Sequence, residues 1–273
     1  MNMQNKPKKK PPVEEVKKPI LTGSWHGRDA WALAGKRALS FLATAVIYLI
    51  AGMLMTFDGL WIRVVVCVIV VGAVAYYQYT HGILKGENDA AFGEIMYAHQ
   101  AEGKTVDPID RQRCFHPLKG VFATLVGFVP FLAVTLVFAL LTTPSRYTLG
   151  VLPSWTQGFM EQTEFADALG YYTLNTGMDA IAILRIVVRA MIMPFINVAV
   201  AIGDDAALLA ERLSPLLLLI APMFYGLGYS RGLHLRARIN TGIKMGDEKK
   251  KRRERKARKQ RQRQRSKEPE RLI

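Results

Sequence analysis

Residues 120–145 read GVFATLVGFVPFLAVTLVFALLTTPS, 26 consecutive positions without Asp, Glu, Lys or Arg. A bilayer core of about 30 Å takes roughly 20 apolar residues in helix, so this run is long enough to cross one. Three more uncharged runs flank it: Ala38 to Phe57, Val64 to Leu84 and Leu213 to Ser230. Four such runs in 273 residues leave too little polar surface to bury them as core helices of a water-soluble protein. The fold class expected is all-α, a polytopic helical membrane protein with spans at about 38–57, 61–82, 120–142 and 212–230.

Charge is distributed unevenly around these runs. The chain has a formal net charge of +15, although half of it is apolar. Residues 1–37 carry nine Lys/Arg against three Asp/Glu, and residues 231–273 carry eighteen against five. The stretch 38–230 carries ten against fourteen and is therefore slightly acidic. This divides the chain into a basic arm at 1–24, expected to be disordered, a helical membrane domain at 25–230 and a basic tail at 231–273. The pattern excludes a disulfide scaffold, since there are two cysteines, and an ordinary cytosolic enzyme. The Lys- and Pro-rich start and the full span length of the first apolar run also read as an uncleaved N-terminus.

Basic flanking segments stay cytoplasmic. Two basic tails on the same side require an even number of spans, and four satisfy this. The five Lys/Arg of 85–119 fit an inside connection, and the single Arg146 of 142–177 fits an outside one. A fifth apolar stretch, 180–202, contains Arg185 and Arg189, spaced i, i+4 on one helical face, together with Pro194 and Asn197. Two mid-span arginines would each cost about 2.5–3.5 kcal/mol, so 180–202 is expected to be interfacial or re-entrant rather than a crossing. Its arginines would then contact lipid phosphates or pair with Asp179, Asp204 or Asp205. The compact loops suit a bacterial cell membrane, with both termini cytoplasmic.

Local signals refine this picture. Spans one and two read as a hairpin about Asp58-Gly59, with Trp61 at the interface and Arg63 snorkelling to headgroups. Ser24 or Asp29 is a candidate N-cap for the first helix. Glu87 to Glu102 reads as a short separate helix, broken by Asp107-Pro108. Arg111, Arg113 and Lys119 around Phe115 and Leu118 read as a segment pinned at headgroups. Pro130, Pro215 and Pro222, with Gly120, Gly127, Gly226 and Gly228, suggest bent helices with close neighbours. Phe159 to Tyr172 can form an amphipathic outer helix.

Chemistry is sparse. There is no GxGxxG, GxxxxGK[ST], GxSxG or HExxH, so no catalytic or cofactor-binding residues are assigned and no cofactor is expected. Cys114, His116 and His99 could approach one another, but a lone C-x-H lacks the further ligands zinc requires, so no metal site is assigned. Cys67 lies mid-span and reads as a small hydrophobe.

The tail is the most unusual feature. Lys249 to Arg271 carries fourteen Lys/Arg and three Glu, and a helix through Lys249–Arg265 would be basic on every side. Lys249, Lys250, Lys251, Arg252, Arg253 and Arg255 are its candidate contacts, and Arg185 and Arg189 are a second candidate set for anionic lipid or a partner. The tail is expected first to hold topology against anionic lipid, with binding of RNA such as that of the ribosome second; docking an acidic protein is the third reading. The expected function is a non-enzymatic scaffold or accessory subunit of a membrane complex. The alternative is a small transporter or channel component using kinked helices and Arg185/Arg189.

Overall fold

The computed structural model describes residues 15–55, 57, 59–142 and 180–265. Every regular element among them is a helix: α1 (Arg28–Met53), α2 (Leu60–Ala101), α3 (Pro108–Arg113), α4 (Lys119–Leu141), α5 (Ala180–Met191), α6 (Met193–Ile202), α7 (Asp204–Arg212) and α8 (Ser214–Arg265). Four of them, α1, α2, α4 and α8, are long and apolar enough to cross a membrane. They carry the four uncharged runs. The amphipathic reading of 159–172 and the residues Asp58, Asp179 and Arg146 lie outside the described residues.

The long helices outrun their apolar parts. At 1.5 Å per residue, the 42 residues of α2 and the 52 of α8 extend about 63 and 78 Å, well beyond a bilayer core of about 30 Å. The expected short helix over 87–102 is therefore the polar continuation of α2. No proline interrupts it, and the buried side of the extension packs on α8. The anticipated tail helix is likewise the end of α8. We call the end of the bundle from which α8 continues the basic end.

Packing departs from sequence order. Spans one and two were expected to pair as a hairpin, but α2 packs chiefly on α8, and α1 packs on α4. Glycines explain this. A Cβ at Gly82 would meet the Tyr225 carbonyl, one at Gly86 the Tyr229 carbonyl, and one at Gly228 the Tyr79 carbonyl. The backbones of α2 and α8 thus touch directly, which only residues without side chains allow. The same device seats α4: Gly127 lies against the Ala34 carbonyl of α1, and Gly120 against the Tyr229 ring. Pro130 and Pro222 lie inside helices that continue through them.

Residues 180–212 close the far end. Helices α5 and α6 meet at 103° at a break beside Pro194. With 12 and 10 residues they reach about 18 and 15 Å, so neither alone matches the bilayer core. The bend residue Ile192 is fully buried in a cluster with Phe41, Phe128 and Leu218. Asn197 Nδ2 donates to the Gly52 carbonyl at 2.7 Å, which fastens α6 to the end of α1. The stretch expected to be interfacial or re-entrant is thus a bent helix pair, and counted as one broken span it would raise the four membrane-length helices to five.

Two local expectations are corrected at the helix ends. The N-cap of α1 is Gly27 rather than Ser24 or Asp29, and no side chain caps it. Arg63 does not simply snorkel. Its Nε donates to the Phe57 carbonyl and its Nη1 to the Asn197 carbonyl at 3.3 Å, tying the α1–α2 connection to α6.

The N-terminal arm is also more ordered than its composition suggests. From Glu15 the chain takes a defined course on the basic end. Val16 N donates to Thr241 Oγ1 (2.9 Å), Leu21 N to the Gly93 carbonyl (3.1 Å) and Gly23 N to the Phe115 carbonyl (3.0 Å). Ile20 packs on Ala90, Phe115 and Tyr229. The Ile20 side chain and the backbone N–H groups of Val16, Leu21 and Gly23 hold this otherwise basic segment. Residues 15–27 and the α8 extension consequently share one end of the bundle.

Candidate functional site

Three polar clusters and one charged surface carry whatever chemistry the described residues have. The first is the far-end cluster of Arg185 and Arg189. Their i, i+4 spacing places both on one face of α5, and that face meets α7. Arg189 Nε lies 2.5 Å from Glu211 Oε1, and Arg185 Nε lies 3.3 Å from Glu211 Oε2. Thr142, at the end of α4, donates to Glu211 Oε2 and accepts from Arg185 Nη2, both at 2.9 Å. Arg185 and Glu211 are buried. The expected acidic partners Asp204 and Asp205 are instead exposed in the first turn of α7, where carboxylates favour the positive end of the helix dipole. Glu211 lies near the opposite end of α7, about 10 Å away along the axis, facing inward.

The second cluster lies at the basic end and joins four helices at one amine. Lys119, the first residue of α4, is fully buried rather than pinned at headgroups. Its Nζ lies 2.6 Å from Asp29 Oδ2 of α1 and 3.3 Å from Asp89 Oδ2 of α2. It also donates to the carbonyls of Gln112 (3.1 Å) and Arg113 (3.3 Å). Tyr229 of α8 donates its hydroxyl to Asp89 Oδ2 at 2.6 Å, and Lys85 reaches Asp89 Oδ1 at 2.7 Å. The Tyr229 ring stacks on Phe115 with centroids 5.4 Å apart. Buried charges of this kind persist only when paired, and here two carboxylates face two ammonium groups. Sequence reasoning missed this cluster. The available signal was Gly82 and Gly86, whose i, i+4 spacing marks the α2 face that meets α8 and continues to Asp89.

The third cluster is inside the bundle. Arg37 Nη2 donates to Gln78 Oε1 at 2.7 Å, and Gln78 Nε2 donates to Ser40 (3.0 Å) and Thr44 (3.2 Å). The Arg37 guanidinium sits 3.8 Å from the centroid of the Tyr225 ring, a cation–π contact.

The charged surface is the α8 extension. Just beyond the apolar run, Arg236 is clasped by Glu94 (2.8 Å) and Glu87 (3.0 Å) of α2, and Asn240 Nδ2 donates to Glu94 Oε1 at 2.6 Å. The hydrogen bond to Glu94 holds the Arg236 pKa above its ordinary value, with Glu87 adding to it and burial opposing. Past this collar, residues 242–262 are exposed. Lys249, Lys250, Lys251, Arg252, Arg253 and Arg255 all lie there, on an uninterrupted helix without an apolar face.

The Cys114–His116–His99 grouping does not assemble: among the described residues no three His, Cys, Asp or Glu side chains lie close enough to hold a metal. Burial pushes the Cys114 thiol up, against a smaller downward pull from Lys119, and Cys114 Sγ donates to the Asp110 carbonyl at 3.5 Å. Compared with known proteins, the chain matches no protein family, no curated protein and no solved structure.

Proposed function

We propose that this chain is a multi-pass cell-membrane protein with no enzymatic role, a scaffold or accessory subunit that presents a basic helix to a polyanion. Both chain ends would be cytoplasmic, four spans would cross, and 180–202 would form the outer cap. The positive-inside tendency supports the orientation, because residues 15–27 and the α8 extension lie together at the end rich in Lys/Arg.

The observation that carries the reading is the continuity of Ser214–Arg265 through the Arg236 collar. A helix held at its base by Glu87 and Glu94 cannot swing freely. Lys249 lies 18 residues past Arg231, about 27 Å farther along the axis. Electrostatic attraction to lipid headgroups fades over a Debye length of about 8 Å. The arm therefore favours an extended polyanion in the aqueous phase, and RNA, such as that exposed on a ribosome, fits a helix that is basic on all sides. It lacks aromatic residues, so recognition would be of phosphates and not of bases. The transporter or channel alternative has less support, because Arg185 and Arg189 both hold Glu211.

Ribosome co-sedimentation of the full chain in nanodiscs tests this against a variant with Lys249, Lys250, Lys251, Arg252, Arg253 and Arg255 changed to Gln. Retention by the wild type, lost with rising salt and absent in the variant, supports it. Equal sedimentation of both chains, or binding to anionic vesicles alone, refutes it.

A further inference from the structure

Between α1 and α2, which touch at only a few points, lies a groove of about 710 Å³. We propose that it is a binding site for one anionic phospholipid. The inference concerns the bundle and does not depend on the basic arm.

The groove is amphipathic along its length. Lys36, Arg37, His81 and Lys85 line it toward the basic end, and Ala43, Ile47 and Val74 line it farther in. From Lys36 to Ile47 is about 16 Å of helix, so Lys36, Arg37 and Lys85 sit at one leaflet boundary, with His81 beside them, and the apolar walls run toward the bilayer centre. A phospholipid has the same polarity in the same direction.

The cationic end is under-neutralised. Arg37 is only 5% exposed, and among the described residues no carboxylate pairs with it. Gln78 and the Tyr225 ring are its neighbours, and its buried Nε has no hydrogen-bond partner. A buried guanidinium without a counter-ion is costly. Lys36 and His81 are exposed beside it and form no ion pair among the described residues, whereas Lys85 is occupied by Asp89. A phosphodiester there would supply the missing negative charge, and its acyl chain would fill the apolar length. The one charge carried by phosphatidylglycerol matches this need, whereas a zwitterion brings its own cation back into the groove.

The test uses the full chain in detergent, with the six-residue arm variant as the control for arm contacts. The probes are phosphatidylglycerol and phosphatidylcholine, read by native mass spectrometry and by the shift in apparent Tm. The wild type should retain one phosphatidylglycerol per chain and be stabilised by it in preference to phosphatidylcholine. Ala43→Phe, which fills the groove, should abolish retention. Lys36→Gln with His81→Gln, both at exposed positions where folding is not at stake, should weaken phosphatidylglycerol on the order of tenfold and leave phosphatidylcholine unchanged. The six-residue arm variant should bind phosphatidylglycerol as the wild type does, which separates failure of this site from failure of the arm. Equal binding of the two lipids, wild-type retention by Ala43→Phe, or loss in the arm variant overturns the proposal.

Discussion

Replacing Lys119 by Met probes the joint that holds α1, α2 and α4 together. The side chain has no exposed surface, and its amine satisfies Asp29, Asp89 and two carbonyls. Removing one partner from a buried ion pair costs about 3–5 kcal/mol, because the other charge stays buried. The lower end applies here, since Asp29 is 27% exposed and Asp89 keeps Lys85 and Tyr229. A loss of about 3 kcal/mol corresponds to an apparent Tm lower by roughly 6–12 °C at 2–4 °C per kcal/mol. The readout is the fraction of monodisperse protein surviving a heating series in detergent. Asp89→Asn alone should cost less, because Lys119 keeps Asp29. The two changes together should cost less than their sum by about 0.5–3 kcal/mol, since each removes the charge the other would strand. A Lys119→Met chain within about 2 °C of wild type, or strictly additive losses, would refute the shared buried joint.

Gly86→Ala should lower the apparent Tm, at a cost of about 1–3 kcal/mol, because its methyl meets the Tyr229 backbone, which cannot yield. Gly72→Ala, with nothing within 4 Å, should be neutral or stabilising, and equal effects at the two sites would count against the α2–α8 backbone seam. Cys114 should resist maleimide at pH 7 in the folded chain and react faster as pH rises. Burial raises its pKa, so the thiolate is scarce at neutrality, and rapid labelling at pH 7 would contradict this. Cysteines introduced as Asp205→Cys and Lys249→Cys should label from opposite sides of the membrane; labelling of both from one side would remove the four-span topology.

The four membrane-length apolar helices were legible because an uncharged run of 18–26 residues is a local property that needs no knowledge of neighbours. The i, i+4 arginines likewise announced a shared face. Their partner was not legible, because Glu211 lies 22 residues past Arg189 and reaches it only through the fold of α5–α7. Pairing of spans was misread for the same reason. Adjacency in sequence suggested α1 with α2, whereas the glycines that decide close approach pair α2 with α8. Lys119 looked like a headgroup anchor because its two carboxylates come from positions 29 and 89, on other helices. Residues 15–24 were judged on basic composition, although Ile20 packing and backbone hydrogen bonds from Val16, Leu21 and Gly23 dock them.

The rigidity of the basic helix can be measured directly as an electron–electron distance. Spin labels at Ser230→Cys and Lys256→Cys, in a Cys67→Ala, Cys114→Ala chain in nanodiscs, are separated by 26 residues, about 39 Å of continuous helix. A single narrow distribution near that length is expected, unchanged when phosphatidylglycerol replaces phosphatidylcholine. A broad or shorter distribution would show a bent or flexible arm, and one that shortens only on anionic lipid an arm drawn down to the membrane; either contradicts the rigid helix.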